Sequence, residues 1–146
     1  MKLVLGILLT FVMGAPPAWA ALGEYEGSVD LDHQALGGEM RNETRAAYKL
    51  DQISTPDGGV ISEYVSPEGR VFAISWRGPF IPNLEQLLGS YFPEVKKAAR
   101  AHTGIGPLVI KTDSFVYFSG GRMKNFFGHA SLPELFPKNL TAEVMP

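Results

Sequence analysis

The chain has 146 residues, 45% hydrophobic and 19% charged, with a formal net charge of −2 and no cysteine. That composition excludes disulfide bonds, thiol chemistry, thiolate metal sites and lipid attachment through cysteine. The mild, mixed charge argues against nucleic acid or an anionic membrane as a partner, and the length fits one domain able to bury a core unaided.

The chain opens Met1-Lys2, followed by an apolar run from Leu3 to Met13 broken only by Gly6 and Thr10. Gly14, Pro16 and Pro17 stop a helix, and Ala18-Trp19-Ala20 supplies a small-residue cleavage pattern. These are the three parts of a Sec-type signal peptide, with cleavage expected after Ala20. The apolar run is roughly half of what a spanning helix needs. The product is therefore expected in the periplasm or secreted, with no stable membrane insertion. Processing would leave 12 basic and 15 acidic residues, a charge of −3.

Residues 21–45 are polar and Gly-rich and read as a loosely attached arm. Within it, Ser28 is placed to cap a short helix through Gln34-Ala35-Leu36, with Gly37 as its stop.

Residues 46–137 read as one α+β domain. Tyr48–Ser54, Val60–Val65 and Val71–Trp76 are runs rich in β-branched and aromatic residues. They are joined by Thr55-Pro56-Asp57-Gly58 and Ser66-Pro67-Glu68-Gly69. Proline presets φ for the first turn position and glycine takes the positive φ that rejoins the ladder. A three-stranded antiparallel meander follows. From Asn83 to His102, Leu84, Leu87, Leu88, Tyr91, Val95, Ala98 and Ala99 recur at helical spacing. Pro93 removes a backbone donor, so a kink is expected between Gly89 and Pro93.

Leu108–Thr112, Phe115–Ser119 and Met123–Ala130 read as three further strands, with turns at Asp113-Ser114 and Gly120-Gly121. The expected architecture is a mainly antiparallel sheet with the long kinked helix on one face. Phe72, Ile74 and Trp76 are expected to meet that helix at Leu84, Leu88 and Tyr91. Residues 138–146 read as a C-terminal tail.

Several separated segments carry a resemblance. Glu63-Tyr64-Val65-Ser66-Pro67 with Gly69, Val71–Trp76, Leu87–Phe92, Ser119–Met123 and Phe126-Phe127-Gly128 resemble a family of exported bacterial proteins, domain of unknown function 2844. The likeness runs from about Leu22 to Pro137. It implies an exported single-domain protein and brings no catalytic residue with it.

The three histidines, His33, His102 and His129, have no partner at metal-site spacing. Asp30-Leu31-Asp32-His33 is the densest ligand-type cluster and reads as an acidic, solvated helix surface. No serine sits in a G-x-S-x-G elbow. Gly120-Gly121 precedes a strand, which disfavours a phosphate cradle. The remaining candidates for ligand or partner contact are Arg77, Arg122, Lys124 and His129. A small basic patch there would suit an acidic ligand, and the blander reading is charge protecting an edge strand. No catalytic set, metal site or cofactor is expected.

The function expected from the sequence is a non-catalytic periplasmic binding or envelope-interaction module, its partner an envelope protein or a small ligand. The alternatives are a small periplasmic hydrolase using His129 or His102 as general base, or an inhibitor of a secreted enzyme presenting Phe80-Ile81-Pro82. That last segment is also readable as a buried staple at the start of the helix.

Overall fold

A computed structural model describes residues 22–138 and 140. The signal-peptide reading of residues 1–20 and most of the 138–146 tail lie outside the described residues.

The two Pro-x-Gly turns do what their chemistry requires. Gly58 and Gly69 sit at φ 87° and 76°, and each donates its N–H to the carbonyl that opens its turn, Thr55 and Ser66 respectively. They link β2 (Lys49–Ser54), β3 (Val60–Val65) and β4 (Val71–Gly78) into the meander. The helical pattern folds as α2 (Leu84–Leu88), a 3-10 turn (Gly89–Tyr91) and α3 (Phe92–Ala101). The break lies between Gly89 and Pro93, with Asn83 capping α2 through its side-chain oxygen on Gln86 N. Three strands follow: β5 (Leu108–Lys111), β6 (Val116–Arg122) and β7 (Asn125–Ser131).

The polar stretch at 21–45 is built into this fold. It forms α1 (Gly27–Leu36) and a further strand, β1 (Glu39–Thr44), which pairs antiparallel with β2. Leu22 N donates to Leu87 O and Gly23 N to Val71 O, and Leu22 and Val29 are buried. The sheet therefore has seven strands in the order β1-β2-β3-β4-β7-β6-β5, antiparallel throughout. The chain leaves β4 through the helices, starts again at the far edge and returns inward, so β7 closes against β4.

One face is covered by the helices. Leu87, Leu88 and Val95 pack with Ile74, Trp76, Tyr117 and Ala130, and Tyr91 stacks on Phe115 at 5.0 Å. Leu87 and Leu88 are fully buried, which is worth roughly 2 kcal/mol apiece. Phe72 departs from expectation. Val65 pairs with Val71 while Tyr64 pairs with Ala73, so Phe72 is the extra residue of a β-bulge. The bulge breaks the period of two and turns Phe72 to the opposite face, against Tyr48, Tyr64 and Phe136.

The last hairpin also differs. Arg122 pairs with Asn125, so Met123-Lys124 form its two-residue loop, with Lys124 at φ 64°. Gly120 and Gly121 lie inside β6 instead, opposite Phe127 and Phe126. A Cβ on Gly121 would come within 2.5 Å of Asn125 O, so this glycine serves close strand approach rather than a turn. Phe80 and Ile81 are 62% and 57% exposed, which removes the buried-staple reading. No described helix is long and apolar enough to cross a membrane.

Candidate functional site

Side chains alternate across a strand, so the face turned away from the helices is assembled from every second residue. It takes Gln52 from β2, Ser62 from β3, Ser75 and Arg77 from β4, Phe127 and His129 from β7, and Phe118 from β6. Register aligns them in rows: Gln52–Ser62–Ser75–His129–Phe118 run across five strands, with Arg77 opposite Phe127 in the next row. Together they line a cleft of about 700 Å³, within the range of small-ligand sites.

Its walls are aromatic. His129 lies flat on Phe118 with ring centroids 5.5 Å apart and planes 16° from parallel, and Phe118 meets Phe127 at 6.0 Å. The Arg77 guanidinium carbon sits 5.8 Å from the Phe127 ring centroid, an exposed cation–π contact. The floor is polar: Gln52 Nε2 donates to Ser62 Oγ at 3.2 Å, and the Tyr64 and Ser75 hydroxyls approach to 3.5 Å. Farther along the same face, Phe136 packs on Phe72 with ring centroids 4.9 Å apart, beside Tyr48 and Tyr64.

The charge balance of the cleft is simple. Arg77 is its one formal cation, and no carboxylate is among its lining residues. Burial pushes the His129 pKa below 6.5, because desolvation penalises the charged ring. At neutral pH the imidazole is therefore an uncharged aromatic surface with a donor and an acceptor. One cation, flat apolar walls and a hydroxyl-amide floor suit a ligand with a single negative charge on a planar or apolar body.

Proton-transfer chemistry is less well provided for. Ser75 stands directly opposite His129, yet its hydroxyl is directed to Tyr64. Among the described residues no histidine ring hydrogen-bonds an acidic or hydroxyl side chain; His33 Nε2 contacts Gly38 O at 3.0 Å, and His102 is exposed at the end of α3. No group of three potential metal ligands occurs among them.

Of the residues singled out from sequence, Arg77 and His129 meet in this cleft. Arg122 and Lys124 do not join its lining; both are exposed at the β6–β7 loop beyond it. Edge protection does not explain the set, since β4, β7 and β6 are all interior strands and the edges are β1 and β5. Phe118, Phe127, Gln52, Ser62 and Ser75 were not indicated by sequence. The Asp30–His33 cluster is not simply a solvated surface either. Asp32 is buried and accepts from Gln86 Nε2 at 2.5 Å. Burial raises its pKa to about 7.

A family model described as "Protein of unknown function (DUF2844)" matches residues 18–145. No curated protein and no solved structure matches the chain.

Proposed function

The chain belongs to this family of proteins of unknown function, and from that premise we propose that it acts, after export and cleavage at Ala20, as a non-catalytic binding module. Its ligand-binding site is the open sheet face. The ligand class is a small monoanion, a carboxylate above all, carried on a planar or apolar body.

The observation that carries this reading is the union of Arg77, Phe127, Phe118 and neutral His129 in a cleft without a carboxylate. A planar body would stack between the rings while the guanidinium takes the anion in a forked, charge-assisted hydrogen bond. The stacked histidine supports a binding role, because a general base needs an oriented partner.

Isothermal titration calorimetry against paired aromatic carboxylates and their uncharged amides tests the assignment. The carboxylates should bind, the amides should bind far more weakly, and Arg77→Ala should abolish the difference. Turnover of an ester or amide substrate that is lost on changing Ser75 or His129 would favour the hydrolase instead.

A further inference from the structure

Strand β1 ends the sheet, and among the described residues nothing pairs with its outer edge. An open edge presents a row of unpaired backbone donors and acceptors, and proteins ordinarily blunt it. The other edge, β5, is blunted: it has four residues, follows Pro107, ends in Lys111 and is contacted by α3. β1 carries none of these devices. Its six residues, Glu-Met-Arg-Asn-Glu-Thr, contain no proline, glycine or lysine and pair with β2 without a register shift.

The charges of β1 alternate in sign along one face. Met40 packs toward the helix-covered core, so Glu39, Arg41 and Glu43 lie on the opposite side. Arg45 extends the row, since its N–H donates to Tyr48 O in the same register. All four are exposed. Glu43 is engaged by Arg45 at 3.1 Å, whereas Glu39 and Arg41 have no ion-pair partner among the described residues.

Charges of one sign would repel a second copy, and this alternation matches one. Two identical strands pairing antiparallel about a two-fold axis set one residue opposite itself. With Asn42 on the axis, Arg41 faces Glu43 of the second copy and Glu39 faces its Arg45, each twice by symmetry. With Arg41 on the axis, Arg41 would face itself and Glu39 would face Glu43. With Glu43 there, Glu43 would face itself and Arg41 would face Arg45. Opposite charges directly across a strand pair stabilise it, and like charges destabilise it. Strand addition by a foreign peptide uses the same backbone edge, but the alternating charges are matched by the strand itself.

We infer that β1 pairs antiparallel with β1 of a second copy, centred on Asn42, joining two seven-stranded sheets into one. The pairing uses up both β1 edges, so the assembly closes as a dimer instead of growing into a filament. The axis stands perpendicular to the sheet, which leaves both small-ligand clefts open on the same side. Dimer formation is independent of what those clefts bind.

Analytical ultracentrifugation of the exported chain over a concentration series tests it, the amino terminus being checked by mass spectrometry. A reversible monomer–dimer equilibrium is expected, weakened by salt because exposed charge pairs are screened. Arg41→Glu alone and Glu43→Arg alone each place like charges across the axis. Each should raise the dimer dissociation constant at least about tenfold, with circular dichroism unchanged. Mixed together, the two variants face each other with opposite charges at both positions, so the mixture should regain dimers near native strength. A native chain that stays monomeric at every concentration, a dimer indifferent to both single variants, or a mixture no stronger than either variant alone would overturn the inference.

Discussion

His129 of β7 lies against Phe118 of β6 with their rings 16° from parallel, so the one histidine in the cleft serves as a wall. Its burial lowers the pKa below 6.5. A depressed histidine pKa contributes stability that is present above the unfolded value and lost as pH falls through the folded value. NMR titration of the ring should return a pKa below 6.5. Carboxylate affinity should stay flat between pH 7 and 8, because Arg77 keeps its charge and His129 stays neutral.

Asp32 and Glu63 give the opposite pH dependence. They face each other where α1 covers β3, each about 1% exposed. Asp32 Oδ2 and Glu63 Oε1 have no donor when both groups are ionised, and a proton held between them supplies one. Burial raises Asp32 to about 7 and Glu63 well above its usual range, with the Asp32 charge a further cause for Glu63. Gln86 donates to Asp32, buried Asp51 adds repulsion, and Lys49 is engaged by Asp51 at 3.1 Å and Glu26 at 2.6 Å. Raised carboxyl pKa values mean that the folded state holds protons the unfolded state has released. The stability is full below the unfolded values near pH 4 and is lost as pH rises through about 7 and beyond. Asp32→Asn keeps an acceptor for Gln86 and gains a donor for Glu63. It should raise the melting temperature at pH 8 by about 5 °C, with little effect at pH 4, as thermal melts across pH would show.

Gly128 sets the floor of the sheet at the site. A Cβ there would overlap Trp76 Cζ2 and come within 2.5 Å of Phe118 O, a backbone atom that cannot swing away. Gly128→Ala should cost about 3 kcal/mol in urea unfolding, through separation of β4, β7 and β6. Gly69→Ala is a useful contrast, since nothing lies within 4 Å of its Cβ position and its cost comes from φ 76° alone. That cost should be about 1 kcal/mol.

Phe136 packs on Phe72 at 4.9 Å, farther along the open face. Phe136→Ala should uncover the Tyr48–Tyr64–Phe72 cluster and cost about 2 kcal/mol. Amide exchange should quicken at Ala73 and Tyr64 while α3 keeps its protection.

These relationships were unevenly legible in the sequence. The meander was plain because Pro56, Gly58, Pro67 and Gly69 each have a fixed conformational use. The helix and its break were plain from the leucine spacing and Pro93. Strand β1 was hidden: in Glu-Met-Arg-Asn-Glu-Thr only Met40 is half-buried, so an edge strand with solvent around it shows no alternation. Gly120-Gly121 looked like a hairpin loop, but Met123-Lys124 form the turn with Lys124 in the left-handed position, leaving the glycines to bring strands together. Phe72 was assigned to the wrong face because a bulge is invisible to parity. Arg77 and His129 could be singled out as residue types. Their meeting with Phe118 and Phe127 depends on β7 returning to pair with β4, a long-range choice that no local pattern encodes.

The central claim is that the open sheet face is the ligand site, and two-dimensional amide and aromatic NMR during titration with an aromatic carboxylate tests it most directly. Saturable shifts should concentrate on Ser62, Ser75, Arg77, Phe118, Phe127 and His129, and Arg77→Ala should remove them. Shifts confined to residues elsewhere, or the same shifts in Arg77→Ala as in the native chain, would contradict it.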